Sequence, residues 1–466
     1  MKTLRLISWA CICALAACSQ DTAASDGGAD AVDAASPDDG DPAPLGDDAG
    51  SPDASDGEPA DPGPADDGGD AERDGGPDDG GDLIPDGGDL IPDGGGDSAD
   101  GETDAGGDSA AAYPPDEWGP FDIGVRKERF YDADRNRWLE TLIWYPAVPH
   151  GPEDSKIRYF LLLEGNGYED LAVDTSEAPY PLVLFSHGNK GVNFQSFSFT
   201  SYLASHGFFV AACNHSGNTM FENPDDQEMA QIALDRPIDI AFVLTKLTEL
   251  AGQTDDPFHG CIDVQALGMS GHSFGGYTAL VVSGGVIDVD AARQRCEAGS
   301  ESDVFCPYIR FWPAGQQISR PAELSGVLCG LAMAPGGYGA FGDDGLAEIH
   351  TPTMIMAGLI DEWMPIDVEP RPIYDALSPP AYKLEIDQAG HMNFTDICRI
   401  PLNQLIPDLA EMCDPDIYLD VDRSYEMIQP FSVAFFRKHL RGETAMDAYL
   451  SSAYADNFVE ASFERK

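Results

Sequence analysis

The stretch "VQALGMSGHSFGGYTALVV" constrains the fold of this chain more than any other part. An apolar run ends at the pentapeptide "GHSFG", residues 271–275, and a run of small and apolar residues with helical spacing follows. A serine between two glycines, placed between a strand and a helix, is typical of a turn so sharp that a Cβ atom at either glycine would clash. The pattern predicts that Ser273 projects its hydroxyl beyond the end of a sheet.

From residue 113 onward, strand-like segments alternate with segments of helical apolar spacing. The predicted helices are "FQSFSFTSYLASHG", "IALDRPIDIAFVLTKLTEL" and the run after Gly275. The predicted strands are "WLETLIWYPA", "YPLVLFSHG", "FFVAACNH", "VQALGMS", "GVLCGLAMAP", "TPTMIMAGLID" and, as the final strand, "AYKLEIDQAG". This alternation predicts an α/β protein with a doubly wound, mostly parallel sheet and helices on both faces.

The segment 19–112 has a different composition. Residues 21–112 hold 29 of the 82 Asp and Glu residues, a single basic residue, Arg73, and no aromatic residue. Such a segment cannot bury enough apolar surface to offset the entropy of ordering it, so we interpret it as a disordered acidic tether. The repeat "DGGDLIP" suggests calcium binding as an alternative, but two visible copies do not make a ligand frame. One catalytic domain is expected over residues 113–466, and the overall acidity argues against a nucleic-acid partner.

The N-terminus has the pattern of an export signal. Lys2 and Arg5 precede an apolar core from Leu6 to Ala17, which is too short to span a bilayer as a helix, and residues 1–18 end in "LAAC". The end of this segment resembles the lipobox of bacterial lipoproteins, which implies lipidation of Cys18, and Ser19 resembles the outer-membrane sorting class. We therefore expect a protein exported from a bacterial cell and held by a lipid anchor at the outer membrane or cell surface. Ordinary cleavage with release of soluble protein is the alternative.

Seven of the ten cysteines remain when Cys11, Cys13 and Cys18 are set aside. Cys213 lies in an apolar strand and is expected to be a buried thiol. Export favours disulfides among the other six, which allow 15 connectivities. We expect Cys296–Cys306 and Cys398–Cys413 as local bridges and Cys261–Cys329 across neighbouring strands. No cysteine or histidine spacing indicates a metal site.

A serine hydroxyl needs a base that is held in place by a third group. The turn at Ser273 predicts the chain order serine, acid, histidine. His391, in "QAGHMNF", follows the last predicted strand and is the candidate base. Asp361, at the end of "MAGLID", is the candidate acid, with the nearby carboxylates Asp367 and Glu362 as competitors.

A tetrahedral oxyanion also needs backbone donors. The N–H of Phe274, directly after the serine, is the first candidate. The second is the main chain of Asn189, in the loop "SHGNKG" after the strand that starts near Pro181. His187 in the same loop is expected to orient it through hydrogen bonds, with a catalytic role in place of His391 as the alternative.

The chain resembles the bacterial branch of the platelet-activating-factor acetylhydrolase and dienelactone-hydrolase-like group of α/β-hydrolases. The matching stretches include "PYPLVLFSHGNKG", "YLASHGFFVAACNHSGNT", "GMSGHSFGGYTAL" and "MIMAGLIDEWMP" with "AGHMNF", in this order. Ser273, Asp361 and His391 fall on the motif positions of that group. In the animal platelet-activating-factor enzymes the acid follows an earlier strand, where this chain has "MAPGGYG" and no carboxylate. The best-known dienelactone hydrolases use a cysteine nucleophile, whereas this chain has serine.

The resemblance implies a serine hydrolase of carboxylic esters that needs no cofactor and acts on a small-molecule or lipid ester. A thioesterase or peptidase of the same fold, and a non-catalytic surface binding module, remain the alternatives. The insertion 287–324, with "CPYIRFWPAG" at its centre, is expected to form a wall or lid of the acyl pocket, or else a disulfide-bridged surface loop.

Overall fold

A computed structural model describes residues 113–160, 163–299, 304–400 and 407–466. Its strands are rich in β-branched, leucine and aromatic residues, which suit a pleated and buried surface. In chain order they are β1 (Asp122–Asp132), β2 (Arg137–Ala147), β3 (Lys156–Tyr159), β4 (Leu163–Glu169), β5 (Tyr180–Ser186), β6 (Phe209–Cys213), β7 (Ile262–His272), β8 (Ile287–Asp288), β9 (Gln317–Ile318), β10 (Val327–Met333), β11 (Thr353–Gly358), β12 (Ala381–Ile386) and β13 (Ala461–Arg465).

The helices lie between these strands in the chain, and several of them are in the C-terminal region. In chain order they are α1 (Phe197–Ser205), α2 (Asp226–Gly252), α3 (Phe274–Val282), α4 (Val289–Glu297), α5 (Cys306–Ile309), α6 (Tyr338–Ala347), α7 (Pro370–Ala376), α8 (Pro407–Met412), α9 (Val421–Arg441) and α10 (Ser452–Ala455). Helix α2 begins six residues before the predicted helix because Asp225 and Glu228 form a capping box at its start.

Of the described strands, eleven form one sheet in the order β13-β12-β11-β10-β7-β5-β6-β2-β1-β4-β3. The run from β6 through β5, β7, β10 and β11 to β12 is parallel throughout. Strand β2 pairs antiparallel with β6, and β13 pairs antiparallel with β12. Parallel neighbours need crossover connections, which the helices supply. The predicted mostly parallel α/β sheet is therefore confirmed.

Helices cover both faces of this sheet. Along β5, Leu182 and Leu184 belong to one buried apolar cluster, whereas Val183 and Phe185 belong to a second cluster. This division follows from the alternation of side chains along a strand. Residues of α2 and α3 complete the first cluster, and residues of α1 and α9 complete the second. The sheet is thus buried between two helical layers, as predicted.

The prediction that the strand starting at Ala381 is the last one is wrong. Strand β13 follows it in the chain and pairs with it, with Phe463 opposite Leu384. Phe463 is the buried residue of β13, and its neighbours are partly or fully exposed. An edge strand with one buried side chain lacks the continuous apolar run that marks buried parallel strands, so its sequence carries little strand signal.

The cysteine predictions are partly correct. Disulfides join Cys296 to Cys306 and Cys398 to Cys413, as predicted. The predicted bridge between Cys261 and Cys329 is wrong, since both thiols are free and buried, like that of Cys213. Cys261 packs in the apolar cluster on one face of the sheet, and Cys329 packs in the cluster on the other face. The sheet therefore separates the two thiols.

Several predictions concern residues outside the described ranges. These are the signal segment 1–18 with Cys18 and the acidic segment 19–112. All described residues belong to one compact unit. Within them, no helix combines the length and the apolar character that a membrane crossing requires.

Candidate active site

The predicted turn at Ser273 is present. Strand β7 ends at His272 and helix α3 begins at Phe274, so Ser273 alone connects them. Its backbone has φ 57° and ψ −116°, a region that non-glycine residues rarely adopt and that costs about 1–3 kcal/mol. The Ser273 N–H donates to Met333 O at 2.8 Å, and Ser273 O accepts from Tyr277 N at 3.1 Å. These bonds to β10 and to α3 hold the strained residue in place.

Both flanking glycines are required by close backbone contacts. A Cβ atom on Gly271 would lie 2.2 Å from Gly275 O, and one on Gly275 would lie 1.8 Å from Ser186 O. Neither backbone oxygen can move without breaking the packing of β5 against β7 and α3. The glycine spacing read in the sequence therefore reflects steric necessity at both positions.

A buried acid and a buried histidine meet beyond the ends of β11 and β12. Nδ1 of His391 donates to Oδ2 of Asp361 at 2.7 Å. The other oxygen, Oδ1, accepts from the N–H groups of Trp363 and Met364 at 2.8 and 2.9 Å. Asp361 and His391 are 5 % and 7 % exposed. The backbone hydrogen bonds fix the orientation of the carboxylate, and the carboxylate fixes the orientation of the imidazole ring. Nε2 is then the ring nitrogen that can exchange a proton with another group.

The competing carboxylates lie elsewhere. The Asp367 side chain is 78 % exposed and forms an ion pair of 2.6 Å with Arg371, one helical turn later. Glu362 is exposed. Of the three candidate acids, the structure thus brings Asp361 to His391.

His272 connects the serine turn to the histidine loop. Its Nε2 donates to His391 O at 3.0 Å, and its Nδ1 accepts from Gln195 Nε2 at 2.9 Å. Burial lowers the pKa of His272 well below its ordinary value, so the ring is neutral and this assignment of donor and acceptor holds. The rings of His272 and His391 lie 4.6 Å apart. The residue before Ser273 therefore anchors the backbone of His391.

The loop after β5 lies against the serine turn. A Cβ atom on Gly188 would lie 3.4 Å from Ser273 Cβ. His187 is buried, its Nδ1 donates to Gly188 O at 2.7 Å, and its Nε2 accepts from His215 N at 3.1 Å. Both ring nitrogens are thus occupied, one by the loop itself and one by the residue His215 after β6. Asn189 follows Gly188 directly, and Phe274 is the first residue of α3, whose N–H has no partner inside the helix.

These groups share one edge of the sheet. Asn189, Ser273, Asp361 and His391 follow β5, β7, β11 and β12, which are parallel strands. The carboxyl ends of parallel strands lie at the same edge, where α/β proteins place their ligands. The four predicted site residues are therefore grouped by the topology of the sheet.

A buried ionic cluster beside this site was not predicted. Arg236 and Asp239, on α2, and His215, after β6, are each 0 % exposed. Asp239 accepts from His215 Nδ1 at 2.9 Å and also pairs with Arg135 and Arg137, at 2.7 and 3.0 Å. The sequence did carry a signal for this cluster. Arg236 and Asp239 lie three residues apart in a predicted helix, on the face that its apolar spacing predicts to be buried. A buried charge needs partners, so such a pair indicates a network.

The insertion 287–324 packs beside the serine helix, with residues 300–303 outside the described ranges. The ring of Phe305 lies 4.4 Å from that of Tyr277 and 5.4 Å from that of Phe274. Trp312 is buried, and its indole N–H donates to Ala230 O at 2.8 Å. The insertion is therefore anchored on α2 and α3.

An aromatic residue, Trp363, lies at the outer rim of the site. Trp363 is 47 % exposed, and its indole lies 5.0 Å from the His391 ring. Across the described ranges, His, Cys, Asp and Glu side chains form no group of three or more that could hold a metal ion.

Comparisons with known proteins agree with this architecture. Residues 163–234 match the family described as platelet-activating factor acetylhydrolase, isoform II. This segment includes the loop with Asn189 and ends before Ser273. No curated protein matches the chain in sequence.

Among solved structures, a ferulic acid esterase from Streptomyces cinnamoneus has a similar fold. It is 18 % identical with a TM-score of 0.50, and the match covers 76 % of this chain and 98 % of the esterase. At this identity the similarity shows the α/β-hydrolase fold. Residues 163–234 are therefore similar to the platelet-activating factor acetylhydrolase family, and the chain has the α/β-hydrolase fold.

Proposed function

We propose that this chain is a serine-dependent hydrolase of carboxylic esters that works through an acyl-enzyme. The nucleophile is Ser273, the general base and acid is His391, and the acid that orients the histidine is Asp361. The observation that carries the proposal is the buried 2.7 Å hydrogen bond between His391 Nδ1 and Asp361 Oδ2. It leaves Nε2 of the histidine as the proton acceptor at the sheet edge where Ser273 is held in a strained conformation.

In the first half of the reaction, Ser273 Oγ attacks the carbonyl carbon of the ester, and its proton passes to Nε2 of His391. The tetrahedral intermediate collapses when the bond to the alcohol oxygen breaks and His391 returns the proton to that oxygen. In the second half, water attacks the acyl-serine by the same steps and releases the acid. Asp361 stabilises the imidazolium that forms each time.

The oxyanion is bound by the N–H groups of Phe274 and Asn189. The Phe274 donor lies at the N-terminus of α3, where the helix dipole favours negative charge. Removing one donor of this kind typically lowers the rate by about 10²–10³.

The substrate class is a small-molecule or lipid ester. The matched family is described as an acetylhydrolase of platelet-activating factor, and the similar structure is described as a ferulic acid esterase. Together they favour an oxygen ester over a thioester or peptide. The two kinds of activity can be compared on a panel of acetyl, butyryl and feruloyl esters, a 2-acetyl glycerophospholipid and a lactone. Turnover of the phospholipid would indicate an activity like that of the platelet-activating-factor acetylhydrolases, and turnover of the lactone one like that of the dienelactone hydrolases.

The test of the proposal is Ser273→Ala in the full chain, assayed on p-nitrophenyl acetate and labelled with a fluorophosphonate. Activity should fall to less than about a thousandth of wild type, and labelling should be lost. Ser270→Ala, three residues earlier in β7, is the matched control, and it should keep both signals. Turnover retained in Ser273→Ala would point to another nucleophile.

We also propose that Cys18 carries a lipid anchor, on the basis of the "LAAC" segment. Two or more acyl chains give stable attachment to a bilayer. Cys18→Ala should move the protein from the membrane fraction to soluble or unprocessed forms. Wild-type protein found wholly in the soluble fraction would refute the anchor.

A further inference from the structure

A buried cation lies directly behind the loop that follows β5. The Arg236 side chain, fully buried on α2, donates from Nη1 to His187 O at 2.6 Å and from Nη2 to Gly188 O at 3.1 Å. Its guanidinium also lies 4.2 Å from the centre of the Phe274 ring. One side chain therefore contacts the backbone of the loop before Asn189 and the side chain of Phe274, the two residues whose N–H groups are the oxyanion donors in the proposed reaction.

The two peptide groups around Gly188 have four polar groups, of which three are bound. Gly188 N–H donates to Gln195 Oε1 at 3.0 Å, and His187 O accepts from Arg236. Gly188 O accepts from Arg236, from His187 Nδ1 at 2.7 Å and from Gly191 N at 3.1 Å. The fourth group, the N–H of Asn189, has no acceptor within the described part of the chain. It is therefore available to a ligand.

The orientation of this N–H follows from its own carbonyl. A peptide group is planar and trans, so the Asn189 N–H points away from the Gly188 C=O. Donors that hold the Gly188 oxygen on one side therefore direct the Asn189 hydrogen to the other side. Positive charge at the oxygen also polarises the peptide, which makes the N–H a stronger donor, because hydrogen bonds in a chain reinforce one another.

We propose that Arg236 is a positioning residue that fixes and polarises the Gly188–Asn189 peptide, so that the Asn189 N–H binds the oxyanion. This inference rests on the proposed ester hydrolysis and deepens it. Arginine suits the task because its planar fork reaches two adjacent carbonyl oxygens at once. The ammonium group of lysine is a point charge and cannot reproduce this geometry.

The surroundings of Arg236 keep it charged and in place. Burial lowers the pKa of the guanidinium to about 9, so it stays protonated at neutral pH. Nη1 also donates to Ser186 Oγ at 3.1 Å, and that hydroxyl lies 2.9 Å from His215 Nε2. His215 in turn donates to the Asp239 carboxylate. This chain of hydrogen bonds connects the buried cation to a buried anion and offsets part of the cost of burying both charges.

The test uses Arg236→Lys and Arg236→Gln in the full chain. Lysine keeps the charge and loses the fork, whereas glutamine loses both. Asp239 keeps Arg135, Arg137 and His215 as partners in either variant. Folding is checked by circular dichroism and thermal unfolding before kinetics on p-nitrophenyl acetate. Affinities for a trifluoromethyl ketone, whose serine adduct carries an oxyanion, are compared with those for the matched methyl ketone.

In a folded variant we expect kcat to fall by about tenfold or more, towards the 10²–10³ of a lost oxyanion donor, while KM changes by less than about threefold. Affinity for the trifluoromethyl ketone should fall by a similar factor, and affinity for the methyl ketone should be unchanged. A merely structural residue would not separate the two ketones. The proposal is overturned if a folded variant keeps kcat and both affinities within about threefold of wild type, or if neither variant folds.

Arg135→Lys is the matched control. Arg135 contacts the same Asp239 carboxylate at 2.7 Å and pairs with Asp132 at the surface end of the cluster. It should lower stability to a similar extent and leave kcat unchanged. Ser273→Ala, measured in parallel, separates the two proposals: if it stays active, ester hydrolysis by Ser273 fails. If it is inactive while the Arg236 variants are fully active, only the positioning role fails.

Discussion

Oδ2 of Asp361 accepts a hydrogen bond from Nδ1 of His391 at 2.7 Å, across 30 residues of chain that include α7 and β12. The parallel pairing of β11 with β12 brings the two loops together, with Gly358 opposite Ile386 at the ends of the strands. The pair is therefore a product of sheet register. Any carboxylate displaced from the end of β11 would miss the histidine.

This geometry predicts a large difference between two asparagine variants. Asp361→Asn should lower kcat by about 10⁴, because the amide stabilises the wrong tautomer of His391. Asp367→Asn should leave kcat almost unchanged, since it removes only an exposed ion pair with Arg371, worth less than about 1 kcal/mol. Steady-state kinetics of both variants decide the matter. The opposite ranking would transfer the role to Asp367.

A second prediction concerns Asp396, five residues after His391. Its buried carboxylate accepts from Ser198 N and Ser198 Oγ, at 2.7 and 2.6 Å, and so caps α1. Burial raises the pKa of Asp396 from 3.8 to about 6. Between these values the folded protein holds a proton that the unfolded chain has lost. The contribution of Asp396 to the free energy of unfolding therefore falls as the pH rises through this window, by about 3 kcal/mol.

Asp396→Asn removes this titration. The pH dependence that the other titratable groups give to the free energy of unfolding is the same in both proteins, so it cancels when the variant is compared with wild type. The free energy of unfolding of wild type minus that of the variant should therefore decrease by about 2.4 kcal/mol between about pH 4 and about pH 7. Urea unfolding of both proteins at the two pH values measures it. A difference that grows with pH would contradict the raised pKa.

A third prediction concerns the thiols. Two disulfides leave Cys213, Cys261 and Cys329 free. Denatured, unreduced protein treated with an alkylating reagent should therefore carry three modified cysteines within residues 113–466. Peptide mass spectrometry locates them. If only Cys213 were modified, a bridge between Cys261 and Cys329 would exist after all.

A fourth prediction concerns the acidic segment. Its composition predicts too little apolar surface to pack against residues 113–466. If this interpretation of the segment is right, a chain that starts at Tyr113 should show the kcat and KM of the full chain within about twofold on a soluble ester, because a solvated spacer would take no part in the chemistry. Parallel assays at low and high salt separate long-range charge effects from contact. A tenfold loss of kcat would show that the segment contributes to the site.

Local features of this protein could be predicted from the sequence. The turn at Ser273 was visible because Gly271 and Gly275 are dictated by contacts within a few residues and with the neighbouring strand. The two correct disulfides join cysteines 10 and 15 residues apart, which short loops bring together. The alternation of strands and helices predicted the parallel sheet, because buried parallel strands leave continuous apolar runs.

Contacts between distant segments were decided only by the tertiary structure. Cys261 and Cys329 share an apolar character, but they pack in the apolar clusters on opposite faces of the sheet. In the sequence, Arg236 stands out only as a charged residue on a helix face that is otherwise apolar. The carbonyl groups that it binds lie 48 and 49 residues away in the chain. The spacing of residues along the chain constrains which nearby residues can contact one another, because bond geometry limits the paths of short segments. The order of strands, the side of the sheet and the partner of a buried charge depend on how the whole core packs.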